Sequence, residues 1–357
     1  LMKLLLTISS VFLAASLFGQ SADNGFASAY YSFPSVTEGV LEAVAWTNTH
    51  MVHLEGQEAS CSGLPRAYGI MGLHDKGKNY FIENGKIVER FSGITIDEQK
   101  ASASQQIYAY AHAYNTLMGI ELANGGAIDD GKSIRNVLHQ LTEIPDSGAV
   151  NAVARDMHTY SVLSFLNSTT QASTYGFDVH KIALKTVFGT SNFMVLSSAK
   201  VIFSQNSIHS NKGTTYETPV AKSIEYGPAI WNPAPICNFS SRSGTAISAI
   251  TIHTIQGSYS GAISWSQNCA SNVSFHYVVR SSDGQVTQMV LEADKGWHVG
   301  TENPYTIGYE HEGYVTDPSW YTESMYNSSA DLSRDIIGSG YSIPALRTYY
   351  GPAGSVT

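Results

Sequence analysis

The sequence predicts two domains, the first mostly α-helical and the second a mixed α/β domain with a central sheet flanked by helices. Three observations carry this. Residues 24–170 place apolar side chains at spacings of three and four. After Pro228 the apolar residues gather into short β-branched runs separated by turn signals. Between these stretches, residues 171–222 are rich in Ser, Thr and Asn and read as linker-like. A length of 357 residues accommodates two domains.

In the first region Val40, Leu41, Val44 and Ala45 repeat at helical spacing, with Thr37 placed as an N-cap. Ile107–Tyr114 with Leu117, then Ile134–Leu141, then Ala149–Leu166 read as further helices. In the last of these, Val150, Val153, Met157, Tyr160 and Leu163 form the apolar repeat. In the second region, 223–357, Ala246–Ile252 and Ser274–Val279 read as buried strands. Asp283-Gly284 is a turn signal followed by a strand over Val286–Val290. Tyr305–Glu310 is a fourth strand, and Ser319–Ile337 a helix with Tyr321, Met325 and Leu332 on its apolar side.

The ends carry separate signals. Lys3, the apolar run Leu4–Leu17 and the small and polar residues around Gly19-Gln20 read as a secretory signal over residues 1–20. The run falls short of the roughly 20 residues a membrane helix needs. The mature chain is therefore expected to carry no integral membrane segment and to be exported, periplasmic or extracellular. Export permits disulfides. Of the three cysteines, Cys237 and Cys269 are the expected pair, with Cys61 left over.

Composition excludes some functions. Hydrophobic residues make up 43% and charged residues 14%, a globular balance. A net charge of −9 argues against nucleic acid as a partner, because phosphate binding needs a Lys/Arg footprint that no stretch supplies.

The chemistry-bearing residues cluster in the second region. His253 follows a buried strand, His276 lies on the next, and His298 sits in the loop Gly296-Trp297-His298-Val299-Gly300. Glu310, His311 and Glu312 end another strand. Imidazoles and carboxylates at strand ends have the types a zinc site uses. Spacing alone leaves each of them equally open to a hydrogen-bonding role.

The ordered motifs sharpen this. Tyr226–Trp231, Ile252-His253-Thr254, Val273–Val279, Asp283-Gly284, Trp297–Gly300 and Asn303–Glu310 occur in an order that resembles the zinc-dependent N-acetylmuramoyl-L-alanine amidases, the type-2 family similar to peptidoglycan recognition proteins. The resemblance runs from Tyr226 to the end of the chain. It implies a Zn²⁺ cofactor with His253 as a ligand. It implies Glu310 as the catalytic acid/base, and His276, Trp297, His298 and Tyr305 along the substrate groove. Phe275 stands where some members carry a polarising tyrosine, so proton transfer falls to Glu310. The implied substrate and partner is peptidoglycan, both muropeptide stem and glycan.

One departure affects activity. The family's second His and its third ligand follow the last helix, whereas no His occurs here after His311. The remaining ligands are expected beyond Thr357, in a chain read as truncated at its C-terminus. As written, the chain is expected to lack two zinc ligands, to hold no stoichiometric zinc and, without that metal, to be inactive.

The first region resembles the lysozyme-like fold of lytic transglycosylases through Leu41–Thr49 and Tyr68–Leu73. The position of that family's catalytic Glu is Asn48, which cannot protonate a glycosidic oxygen. The resemblance therefore implies a domain that grips glycan without cutting it. The function expected for the whole is hydrolysis of the amide between N-acetylmuramic acid and L-alanine by a zinc-activated water. The alternative is a non-catalytic peptidoglycan-binding protein, with a muramidase disfavoured by Asn48.

Overall fold

The computed structural model describes residues 25–56, 59–146, 149–197, 201–204, 207–210, 215–216 and 225–344. The expected signal, residues 1–20, and the end of the chain from 345 lie outside them. The chain divides into two compact units. The first comprises residues up to Ser60, Leu64–Ser197 and Gln256–Ser264, and the second Cys61–Gly63, Ser198–Ile255 and Trp265 onward.

The first unit is helical. α1 spans residues 25–32, followed by α2 (Val40–Thr49), α3 (Asn84–Ser92), α4 (Ile96–Ala101), α5 (Ala103–Ala123), α6 (Gly131–Leu141) and α7 (Ala149–Leu166). Thr37 does not cap α2. Its hydroxyl donates to the Ile128 carbonyl at 2.6 Å inside the core, and Gly39, at φ 79°, takes the cap position. On α7, Met157 and Leu163 are buried as their spacing predicts, whereas Val153 faces solvent and Ala154 takes the inward place. Two turns of unmatched polarity sit under these helices. Gln106 on α5 accepts from the Met71 N–H and donates to the Tyr68 carbonyl. Asn84 accepts from the His74 N–H and donates to the Leu141 carbonyl. Each buried amide thus pairs with backbone groups of a neighbouring loop or helix end.

The expected linker is not uniform. α8 (Thr169–Tyr175), α9 (Leu184–Phe188) and α10 (Thr190–Leu196) continue the first unit, with Phe177, Phe188 and Leu196 buried. Isolated aromatics at these positions do the anchoring, so no periodic run announces the helices. Beyond them β1 (Val201–Ser204), β2 (Ser207–Ser210) and β3 (Thr215–Tyr216) form a three-stranded antiparallel sheet.

In the second unit the main sheet has the order β4-β8-β7-β10-β6. The strands are β4 (Ile230–Trp231), β6 (Ala249–Thr254), β7 (Tyr277–Val279), β8 (Val286–Gln288) and β10 (Thr306–His311). β10 runs parallel to both β6 and β7, β8 is antiparallel to β7, and β4 is parallel to β8. β5 (Phe239–Ser241) and β9 (Asp294–Gly296) form a separate antiparallel pair. α11 (Tyr259–Ser266) belongs to the first unit through Ser264, and α12 of the second unit is Glu323–Gly338. One sheet face buries Ile307, Tyr309, Tyr277 and Val279 against Met325, Leu332 and Ile336 of α12. Tyr321, expected on that helix, precedes it, because Thr322 is its N-cap and accepts from the Met325 N–H. The Cys237–Cys269 disulfide forms and Cys61 is a free thiol. No helix among the described residues is long and apolar enough to cross a membrane.

Candidate active site

Alternation along β10 decides what faces the site. Ile307 and Tyr309 point into the core with α12, so Thr306, Gly308 and Glu310 point to the opposite face. Glu310 pairs in register with His253 on β6 and with Val278 on β7. Paired residues of parallel strands share a face, so His253 projects beside Glu310.

Glu310 is fully buried, and its Oε2 has no hydrogen-bond partner among the described residues. Burial pushes its carboxyl up to about 8, partly offset by the Cys61 thiol, whose Sγ lies 3.6 Å from Oε1. A neutral acid at ordinary pH is thereby held at the end of the central strand.

Three imidazoles line up next to it. The ring centroids of His253 and His298 are 5.5 Å apart, and those of His298 and His276 are 5.6 Å apart. His253 Nε2 lies 3.4 Å from His298 Nδ1. Burial holds His253 down at about 4 and His276 at about 3. His298 is also held well below the usual range by burial, with the other two rings adding to it. All three are neutral near pH 7.

His298 is set by its loop and by a glycine. Asn303 Oδ1 accepts from the backbone N–H groups of His298 and Val299 at 3.0 and 2.8 Å, fixing the loop after Trp297. The imidazole lies flat over Gly308, where a Cβ would sit 2.4 Å from His298 Nδ1. Only glycine leaves room for the ring on that strand. Trp297 is half-buried and its indole N–H donates to Ser240 Oγ at 3.2 Å. Tyr305 is 37% exposed.

His276 stands deeper. The Gly308 N–H donates to its Nδ1 at 3.0 Å, and its Nε2 lies 3.2 Å from the Asp294 carbonyl. The Arg242 guanidinium lies 2.8 Å from the same nitrogen. Both ring nitrogens are thus taken by the protein, and the side chain is fully buried. His311 and Glu312 leave the site altogether. His311 Nε2 meets Ser329 Oγ at 2.9 Å under α12, and Glu312 accepts from the Ser281 N–H.

Two residues carried no sequence signal. Arg242, in a polar Ser-Arg-Ser-Gly stretch, is buried and donates to the carbonyls of Glu292, Asn303, Pro304 and Thr306. It ties the loop before β10 in place. Cys61 reaches Glu310 across 249 positions of sequence. Neither contact leaves a local periodicity to read.

Among the described residues no group of three or more His, Cys, Asp or Glu side chains is arranged to hold a metal ion. The described residues set His298 opposite His253 and do not complete a metal centre.

A buried, proton-holding carboxyl next to neutral imidazoles, in a region open at Tyr305 and Trp297, is suited to acid/base chemistry on an uncharged bond. Residues 243–355 match the N-acetylmuramoyl-L-alanine amidase family. The chain is 48% identical over 113 residues to N-acetylmuramoyl-L-alanine amidase A of Achromobacter lyticus. The match covers 32% of this chain and spans 63% of that relative. A likeness of 18% identity and TM-score 0.26 links 32% of this chain with 78% of the solved catalytic domain of XlyA. The stretch similar to that family thus contains His253, His276, Trp297, His298, Tyr305 and Glu310, and begins just after Arg242.

Proposed function

We propose that the second unit hydrolyses the amide between the N-acetylmuramic acid lactyl group and L-alanine in peptidoglycan. The single observation that carries this reading is Glu310. It is a fully buried carboxyl with an unpartnered oxygen, in register with His253, inside the stretch similar to the amidase family.

In this reading the ionised form of Glu310, which gains population as pH approaches about 8, takes a proton from the attacking water and returns it to the leaving amine. Its raised pKa suits the second task, because the carboxyl binds a proton readily in the neutral range. His298 and His253, both neutral, present nitrogens toward the scissile group, and Trp297 and Tyr305 offer ring faces to sugar and peptide. His276 acts from behind by fixing Gly308 and the strand that carries Glu310.

The resemblance assigns a zinc ion with His253 as a ligand, and bound zinc supplies a water of pKa roughly 7. Because the described residues do not complete such a centre, no step above runs through the metal. Export of the chain, and a glycan-gripping role for the helical unit with Asn48 in place of a catalytic Glu, belong to the same proposal. In that unit Asn48 is fully engaged. It donates to the Met71 carbonyl and its Oδ1 lies 2.9 Å from His158 Nε2.

The test is cleavage of a muramoyl dipeptide with zinc in excess, followed by mass spectrometry. Release of the free L-alanyl peptide by the 357-residue chain, lost in Glu310→Gln, is the expected outcome. Intact substrate after prolonged incubation overturns the reading.

A further inference from the structure

Glu310 needs a reason to stay oriented. Among the described residues its Oε2 has no hydrogen-bond partner, and Cys61 is the side chain that meets its other oxygen. The thiol Sγ stands 3.6 Å from Oε1, within reach for a sulfur donor. A carboxylate held at one oxygen has its plane fixed, so the other oxygen is aimed as well.

The segment carrying this thiol is itself anchored. Residues Cys61–Gly63 belong to the second unit. Ser62 is buried, and its carbonyl accepts from the Trp265 indole N–H at 2.8 Å. The thiol is therefore delivered to Glu310 by a fixed backbone. The surrounding protein and the Glu310 charge both push the thiol pKa upward, so the sulfur keeps its proton and remains a donor.

We propose that Cys61 is a positioning residue, whose thiol holds Glu310 Oε1 and thereby directs the unpartnered Oε2 at the substrate. The inference rests on the reading of Glu310 as the acid/base group. It adds a residue that lies outside the stretch matching the amidase family.

Two measurements on the full chain test it. The first needs no turnover. Cys61 is the single free thiol, since Cys237 and Cys269 are bonded to each other. Labelling by a thiol-specific disulfide reagent at mildly alkaline pH should run about tenfold slower than for an unperturbed thiol. In Glu310→Gln it should accelerate severalfold. Equal, fast labelling of both proteins overturns the pairing.

The second is kinetic, with zinc in excess. Cys61→Ala should lower kcat about tenfold while leaving KM nearly unchanged, and Cys61→Ser, which keeps a donor, should recover most of the loss. An unchanged kcat in Cys61→Ala overturns the positioning role. If the wild-type chain fails to cleave muropeptide while the labelling contrast holds, the pairing stands. The function reading then falls, and the catalytic consequence falls with it.

Discussion

Glu310 on β10 and His253 on β6 occupy paired positions of a parallel register, so an acid and an imidazole leave adjacent strands on the same sheet face. No loop flexibility separates them. The pairing places the chemistry on the most rigid part of the second unit and explains why a carboxyl there is wholly desolvated.

That desolvation has a cost that pH reveals. In the unfolded chain a glutamate ionises near its ordinary value of about 4.3, whereas folded Glu310 holds its proton up to about 8. Between these values the unfolded state releases a proton that the folded state keeps. Stability is present in full below the lower value and falls as pH rises through the window, by up to about 1.4 kcal/mol per unit. Glu310→Gln should lose this slope while abolishing amide cleavage. Denaturant unfolding of both proteins across mildly acidic to mildly alkaline pH measures it. Parallel curves would rule out the raised pKa.

Gly308 offers a steric test. A methyl group there would lie 2.4 Å from His298 Nδ1, so Gly308→Ala must expel the ring or bend β10. The expected loss is about 1–3 kcal/mol of stability, as for overpacking generally. Cleavage activity should fall with it, because His298 then leaves His253. Thermal unfolding and the muropeptide assay read the two effects.

Asp283 holds the turn between β7 and β8. Its carboxylate accepts from Arg280 Nε at 2.8 Å and from the Gln285 N–H at 3.0 Å. Burial opposes its ionised form, but the Arg280 charge and these hydrogen bonds win and hold its pKa below the usual carboxylate range. A depressed pKa contributes stability that is present above the unfolded value of about 3.9 and lost as pH falls through the folded one. Asp283→Asn should cost about 1.5–3 kcal/mol near neutrality and remove this part of the acid sensitivity. Urea midpoints at neutral and strongly acidic pH provide the comparison.

Zinc retention is a direct measurement. Since the described residues do not complete a metal centre, the 357-residue chain should leave a desalting column with well under one zinc per molecule. His253→Ala should lower even that. Tight one-to-one zinc in the wild-type chain, by elemental analysis, would contradict the expectation.

Some of this was legible in the chain. The helix Ala149–Leu166 has the bounds its spacing predicts, and the Cys237–Cys269 pair forms as expected. The strand expected over Tyr305–Glu310 forms one residue later, as Thr306–His311, with Ile307 and Tyr309 alternating with small or polar neighbours. Elements such as β4, β5 and β9 were not legible, since runs of two or three residues carry no periodicity. α11 was missed because small and polar residues interrupt its apolar pattern.

The sequence by itself determined which side chains are candidates for chemistry, and it brought His253, Trp297, His298 and Glu310 forward in order. Tertiary structure alone decided how they divide the work. It put His276 behind the strand with both nitrogens engaged, sent His311 under α12, and brought Arg242 and Cys61 in from distant positions. The reason is physical. Local periodicity encodes which face of an element is buried, whereas the partner of a buried polar atom is chosen by long-range packing, which no short window of sequence contains.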